Sequence, residues 1–447
     1  MLSDVIAAVA TPAGRSAIAV VRVSGDGAHT VASRVLESFR PEPERRAARS
    51  RVVHPATGEV IDEAVYITLH APRSYTGQDM VEISTHGGVL VPAETLAALV
   101  AAGARVATPG EFTRRAVLNG KMDLLQAEAV GDLIDATAPA QRRTALSQLD
   151  RGLSLRITKL RSQVLDLEAL VSYEIDFPEE DSGPVAPERI DGAVKELCEA
   201  FRDLSRTAAE GERLREGALA VIAGWPNAGK SSLFNALVGH ERAIVTEVPG
   251  TTRDAIEAPV TCGGFPFRLV DTAGLRATED RVERLGVEVS HRYLDAADVV
   301  IFCGECGRRL EPAEQEFLEK LNGRVVMVRT KADISPPPCA SESGIRVSAI
   351  SGEGLPELRT ELARFAFATL SGQADLEPLV TRERHRAALQ VALEETEAFR
   401  DSRIAGLEGA VAAIHLQAAV RALEDIIGVV TADDILDRVF ASFCVGK

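Results

Sequence analysis

Gly224-Trp225-Pro226-Asn227-Ala228-Gly229-Lys230-Ser231 has the spacing G-x-x-x-x-G-K-[ST], with Ser232 next. In that pattern glycines let backbone amides curl around phosphate oxygens. The lysine sets a point charge on the β and γ phosphates, and the hydroxyl of Ser231 can ligate Mg²⁺. Asp271-Thr272-Ala273-Gly274 closes an apolar run. There a carboxylate can hold Mg²⁺ through water and a glycine amide can sense the γ phosphate. Between the two motifs lies Gly250-Thr251-Thr252-Arg253-Asp254, whose threonines can complete the metal shell. Thr330-Lys331-Ala332-Asp333 offers an acid for the two donors of guanine and a lysine to pack over the ring, while Ser348-Ala349-Ile350 offers an amide to the guanine oxygen. Thr330 stands where this pattern usually has asparagine, so one supporting hydrogen bond is left open. The expected ligand is GTP rather than ATP.

Leu275 follows the glycine of the second motif, at the position where related phosphohydrolases carry a water-orienting glutamine. Leucine cannot hydrogen-bond water. Glu283, on the segment that also carries Arg276 and Glu279, is the acidic residue placed to do this work, with Arg276 as a second catalytic candidate. The alternative for Glu283 is a solvated helix residue paired with Arg281 or Arg284.

These residues need rigid supports. Ala218 to Ala223 reads as the strand before the phosphate loop, with a helix from Lys230 and further strands at Arg268 to Val270, Val299 to Phe302, Val325 to Val328 and Ile345 to Val347. That alternation predicts a mostly parallel α/β domain. On its N-terminal side, Leu146, Leu149, Leu153, Ile157, Leu160, Val164, Leu167 and Val171 recur at spacings of three and four. They predict one long amphipathic helix packed on sister helices. Ile190, Val194, Leu197, Phe201, Leu204 and Ala208 continue the rhythm, and helical texture returns past Ser371. An α/β unit inserted into a discontinuous helical domain accounts for this order. Residues 1–120 show short β-branched runs (Ala17 to Val23, Ala64 to Leu69, Met80 to Ser84) and a helix over Pro92 to Ala102, which read as an α+β domain. Pro41 to Arg51 reads as a solvated turn and Pro336 to Pro338 as a surface loop. The expected boundaries are 1–120, 121–215, 216–370 and 371–447.

The chain has 447 residues, 46% apolar and 26% charged, which predicts several folded domains. A formal charge of -16 argues against coating nucleic acid or anionic lipid by bulk attraction. Arg382, Arg384 and Arg386 form a local basic cluster, read as a solvated helix face. Six scattered cysteines do not make a disulfide scaffold, and a reducing, cytoplasmic setting is expected. Cys303 and Cys306 make a lone C-x-x-C, read as structural rather than zinc-binding. No charged n-region opens the sequence and no apolar run reaches the length of a membrane span.

Flanking motifs add a resemblance. Thr11-Pro12-Ala13-Gly14-Arg15, Tyr75-Thr76-Gly77-Gln78-Asp79, His86-Gly87-Gly88, Pro109-Gly110-Glu111-Phe112-Thr113, Leu118-Asn119-Gly120-Lys121-Met122-Asp123-Leu124 and the terminal Cys444-Val445-Gly446-Lys447 resemble the signatures of the tRNA modification GTPase MnmE (TrmE) family. The resemblance spans essentially the whole chain. It implies a multidomain fold: an N-terminal α+β folate-binding and dimerisation domain, a discontinuous helical domain and an inserted Ras-like P-loop GTPase domain. It implies that Arg22, Glu82, Lys121 and Lys447 contact 5-formyl-tetrahydrofolate or a related reduced folate. Further implications are K⁺ held by Asn227, Thr246, Val248 and Thr251, Mg²⁺ held by Ser231 and Thr252, and water oriented by Glu283. The nucleotide-binding set is then Asn227, Ala228, Gly229, Lys230, Ser231, Ser232, Thr246, Glu247, Val248, Pro249, Gly250, Thr251, Thr252, Asp271, Thr272, Ala273, Gly274, Lys331, Asp333, Ser348 and Ala349. Cys444 is a catalytic candidate on the same ground, with a structural role as its alternative.

The implied activity is a K⁺-stimulated GTPase, active as a homodimer and in a heterotetramer with an FAD-containing MnmG-like protein. It would modify C5 of the tRNA wobble uridine. A ribosome-assembly or signalling GTPase switch is the alternative from another class, and it leaves the N-terminal and terminal motifs without a purpose. A folate-dependent transferase with a merely structural nucleotide domain is the third.

Overall fold

The computed structural model describes residues 3–41, 46–176, 186–239, 257–271, 292–321, 323–334, 343–371, 378–428, 433–441 and 443–446. Two compact units are present, Met1–Gly131 with Glu424–Lys447, and Asp132–Leu423.

The first unit is built on a six-stranded sheet of β1 (Ile6–Val9), β2 (Ile18–Ser24), β3 (Ala47–Val53), β4 (Val60–Leu69), β5 (Met80–His86) and β6 (Arg105–Val106). The strand order is β3-β4-β5-β2-β1-β6, antiparallel throughout except for the parallel pair β1 and β6. Period-two alternation divides its side chains between two faces. Val21, Val23, Tyr66 and Ile83 pack with Ala32 of helix Ala28–Val35 and Leu99 of helix Leu90–Ala101. Ile6, Ala8 and Met80 pack with Phe112. The expected strands and helix are all present. The turn expected over Pro41 to Arg51 is not: strand β3 begins at Ala47, with buried Ser50 and Val52 alternating with exposed Arg49 and Arg51. As an edge strand it carries charges on its outer face, and these mask the strand signal.

A partly buried ionic network ties Asp4, just before β1, and Arg105, at the start of β6, to helix Glu111–Leu118. Arg115, 1% exposed, donates to Asp4 and Glu111 at 2.6 and 2.9 Å, and Arg105 reaches the same two carboxylates at 2.8 Å each. Burial pushes the Glu111 carboxyl up, but hydrogen bonds from Arg105, the Thr108 amide and Arg115 outweigh it and hold the group at about 2. Gly110 opens this helix at φ +67°, and a Cβ there would stand 2.9 Å from Phe440. That close approach seats helix Asp433–Ala441, where Leu436 and Phe440 pack on Leu124 and Ala127.

The second unit holds β7 (Ala218–Ala223), β8 (Glu257–Cys262), β9 (Phe265–Asp271), β10 (Val299–Glu305), β11 (Val325–Thr330) and β12 (Ile345–Arg346), in the order β12-β11-β10-β7-β9-β8. Every pairing is parallel except that of β8 with β9. Both faces are covered, which is why β7 and β10 read as unbroken apolar runs. Ala220 and Ile222 face Leu233, Phe267 and Leu358, while Val221 faces Val270, Val300 and Phe302.

The helical part departs from the expected single long helix. Residues 124–176 form three helices, Leu124–Asp135, Pro139–Leu149 and Gly152–Asp176. The last break falls at Arg151, held at φ +68°, a left-handed turn that interrupts the helix without a proline. Beyond it Leu153, Ile157, Leu160, Val164, Leu167 and Val171 are buried, whereas Leu146 before it is exposed. Helix Pro187–Arg206 buries Ile190, Val194, Leu197, Phe201 and Leu204 and packs on helices Gly152–Asp176 and Glu383–Ile404.

Entry to and exit from the α/β sheet lie side by side. The Val380 amide donates to Thr207 Oγ1 at 3.1 Å and the Thr369 amide to Glu210 at 3.3 Å. A Cβ on Gly211 would stand 2.1 Å from the Val380 carbonyl oxygen. This contact lets the α/β fold interrupt the helical one. The basic cluster is not one solvated face. Arg386 pairs outward with Glu383, but Arg382 turns inward onto Asp132 at 2.6 Å. Pro336 to Pro338 lie outside the described residues. Among the described residues no helix is long and apolar enough to cross a membrane.

Candidate functional site

The phosphate loop leaves the end of β7 through Gly224 at φ +140°, where a Cβ would collide with the Cys303 carbonyl oxygen at 2.4 Å. Asn227 at φ +63° and Gly229 at φ +81° curl the loop. Helix Lys230–Gly239 follows at once, so the loop's amides and the helix N-terminus converge on one side of the sheet. Lys230 Nζ donates to the Trp225 carbonyl at 2.9 Å across the loop. Asn227, Ser231 and Ser232 are exposed and Ala228 is buried. Asp271 ends β9, paired with Ile222 on β7, which sets the residue beside the origin of the loop. These donors and this curvature fit a Mg²⁺–nucleotide.

Cys303 lies beneath the loop on β10. Burial pushes its thiol up to about 12, against the pull of the Lys230 charge. It is a packing group, not a nucleophile. Cys306 is likewise buried, with its Sγ 3.5 Å from the Arg329 carbonyl.

Thr330 ends β11 with its hydroxyl 2.8 Å from the Ala228 carbonyl and 3.3 Å from that of Gly304. The residue that departs from the usual motif therefore still ties the Thr330 to Asp333 segment to the phosphate loop. Lys331 stands at φ +59° with Nζ 3.0 Å from Glu305, and Asp333 is exposed. Ser348 is buried, and its Oγ accepts the amides of Ile350 and Ser351, shaping the loop after β12. Thr330→Val removes the tether at constant shape and is expected to weaken GTP binding about fivefold, the equivalent of roughly 1 kcal/mol. Thr330→Ser is expected to keep it, and nucleotide titration checks both.

A second polar group sits in the first unit. Arg22 on β2 and Glu82 on β5 are cross-strand neighbours joined at 2.9 Å. The Arg22 guanidinium lies 5.9 Å from the Tyr75 ring centre and donates to the Gly446 carbonyl at 3.2 Å. Gly446, at φ +94°, would place a Cβ 2.6 Å from the Val9 carbonyl oxygen, so the terminal segment lies flat on β1. Cys444 is exposed, with its carbonyl 3.3 Å from the Gly110 amide. Lys121 donates to the Pro72 carbonyl at 2.9 Å, in the loop that also carries Tyr75. Arg22 thus joins Glu82 to the terminal segment, and Lys121 lies against the loop that carries Tyr75.

Residues 5–121 match the family model described as the GTP-binding protein TrmE N-terminus, and residues 124–444 match that of the MnmE helical domain. The chain belongs to the MnmE family of tRNA modification GTPases. The tRNA modification GTPase MnmE of Aquifex aeolicus is 40% identical over 100% of both chains. That of Heliobacterium modesticaldum is 42% identical over 100% of both, and that of Thermus thermophilus 42% identical over 100% of this chain and 99% of the relative.

Several residues assigned through the MnmE resemblance lie outside the described residues: Thr246, Glu247, Val248, Pro249, Gly250, Thr251, Thr252, Thr272, Ala273, Gly274, Arg276, Glu283 and Lys447. Sequence reasoning missed the supports: the Trp225 and Gly446 carbonyls, the Tyr75 ring and the Cys303 backbone. Backbone acceptors leave no trace in residue type. Gly224 and Gly446 were the available signals, since a glycine so near a functional residue often marks a close backbone approach.

Proposed function

We propose that this GTPase of tRNA modification works as a K⁺-stimulated homodimer. With an FAD-dependent MnmG-like partner it adds a carboxymethylaminomethyl group to C5 of the wobble uridine of certain tRNAs. A reduced folate such as 5-formyl-tetrahydrofolate supplies the one-carbon unit. The observation that carries the reading is full-length identity of 40–42% with MnmE relatives, in a chain that holds both a phosphate loop and the Arg22–Glu82 pair.

In this reading Lys230 and the loop amides orient the phosphates of GTP, Ser231 and Thr252 ligate Mg²⁺, and Asp271 holds it through water. Asn227, Thr246, Val248 and Thr251 would hold K⁺, which would supply positive charge beside the phosphates, and Glu283 would orient the attacking water in place of a glutamine at Leu275. Arg276 assists on the same segment. Lys331, Asp333, Ser348 and Ala349 select guanine. Arg22, Glu82, Lys121 and Lys447 bind the folate, with Cys444 beside it. The working segments are 1–120, 121–215, 216–370 and 371–447, and the setting is cytoplasmic. The negative overall charge is compatible with a partner that supplies most of the basic tRNA surface.

Mass analysis of tRNA from cells lacking the chain tests the proposal. The C5-modified wobble uridine is expected to disappear and to return with the wild-type chain. Unchanged modification would refute the tRNA role.

A further inference from the structure

The loop of residues 70–79 links β4 to β5. His70 stands at its start and Asp79 at its end, directly before Met80, and His29 sits in the first turn of helix Ala28–Val35. One ring nitrogen from each histidine and one Asp79 oxygen all lie within 4.8 Å of one another. The two imidazoles meet edge to face with centres 4.8 Å apart. His29 is largely buried, yet its Nε2 has no hydrogen-bond partner, and its Nδ1 is 3.7 Å from Asp79, beyond hydrogen-bonding range. A buried polar nitrogen left without a partner is costly and calls for an explanation.

We propose that His29, His70 and Asp79 bind one divalent first-row transition-metal ion of the Zn²⁺ class. Two neutral imidazoles and a carboxylate are the donors such ions take, with water as a fourth ligand; Mg²⁺ and Ca²⁺ prefer all-oxygen sets. Ligand atoms around a tetrahedral Zn²⁺ stand about 3.3–3.5 Å apart, so the three donors need to close by little more than 1 Å. The Asp79 side chain is 39% exposed and has room to do so. Its Oδ1 already accepts the Ala71 amide at 3.0 Å, the kind of outer hydrogen bond that orients a ligating carboxylate. A bound ion would pin both ends of the loop to helix Ala28–Val35. The binding does not rest on the proposed reaction, and its failure would leave that reading untouched.

The test uses the full chain carrying Cys444→Ser, stripped of metal and nucleotide, so that neither the exposed thiol nor a phosphate competes. Calorimetric titration with ZnCl₂ is expected to give about one tight site per chain, and Co²⁺ in its place is expected to give visible bands of four-coordinate geometry. His29→Gln and His70→Gln are each expected to weaken the Zn²⁺ site by about 100-fold or more while GTP turnover is unchanged. No tight site, or a site of equal affinity in both variants, would overturn the proposal.

Discussion

Lys230→Ala is expected to lower kcat/KM for GTP by on the order of 10²–10³-fold in a chain that still folds. The lysine opens helix Lys230–Gly239, and its Nζ donates across the loop to the Trp225 carbonyl. Losing that bond costs the apo fold about 1 kcal/mol. Losing the cation removes charge stabilisation at the β and γ phosphates, where it grows during transfer. Gly224→Ala is a contrasting control. Its φ of +140° and the 2.4 Å approach to the Cys303 carbonyl oxygen make that variant fail by destabilisation. Thermal melts with steady-state GTP turnover separate the two: a Tm lowered by no more than a few degrees with lost turnover for Lys230→Ala, a much larger fall in Tm for Gly224→Ala. Full turnover in Lys230→Ala would remove the lysine from the chemistry.

The second large effect concerns the other site. Arg22→Ala is expected to weaken binding of 5-formyl-tetrahydrofolate by roughly 10- to 150-fold, the range of about 1.5–3 kcal/mol for a hydrogen bond to a charged group. The guanidinium serves three neighbours at once: Glu82 at 2.9 Å, the Gly446 carbonyl at 3.2 Å and the Tyr75 ring. Its removal leaves Glu82 without that cation and releases the terminal segment from β2. Basal GTP turnover should stay at the wild-type level, because β2 and the phosphate loop belong to different units. Calorimetric titration with the folate reads the effect, and equal affinity in the variant would take Arg22 out of the pocket.

The nucleotide domain was legible because its strands are buried on both faces and its loops carry obligatory residue types. A run such as Ala218 to Ala223 followed by the glycine-rich loop admits few other folds. The N-terminal sheet was only half legible. β2, β4 and β5 are central and show the apolar signal, whereas β3 lies at an edge and hides Ser50 and Val52 among arginines. The helix break at Arg151 was invisible, because the apolar spacing runs through it and a left-handed arginine has no sequence mark. At the sites, side chains could be named but their supports could not. Thr330 looked like a lost contact, yet its hydroxyl reaches the Ala228 carbonyl at 2.8 Å, a tether that only the fold brings into being. The His29, His70 and Asp79 group also escaped notice, since its three members are 41 and 9 residues apart and no local motif joins them.

In the proposed function GTP hydrolysis is switched on by a monovalent cation at Asn227 when two copies of the chain meet. Its most direct test is GTP turnover by the purified chain in KCl and in NaCl at matched ionic strength, with association state followed in the presence of a guanine-nucleotide transition-state mimic. At least about tenfold faster turnover in KCl is expected, on the order of the charge stabilisation a single well-placed group supplies, together with nucleotide-dependent dimerisation of the G domains. Equal rates in the two salts, or a chain that stays monomeric throughout, would contradict it.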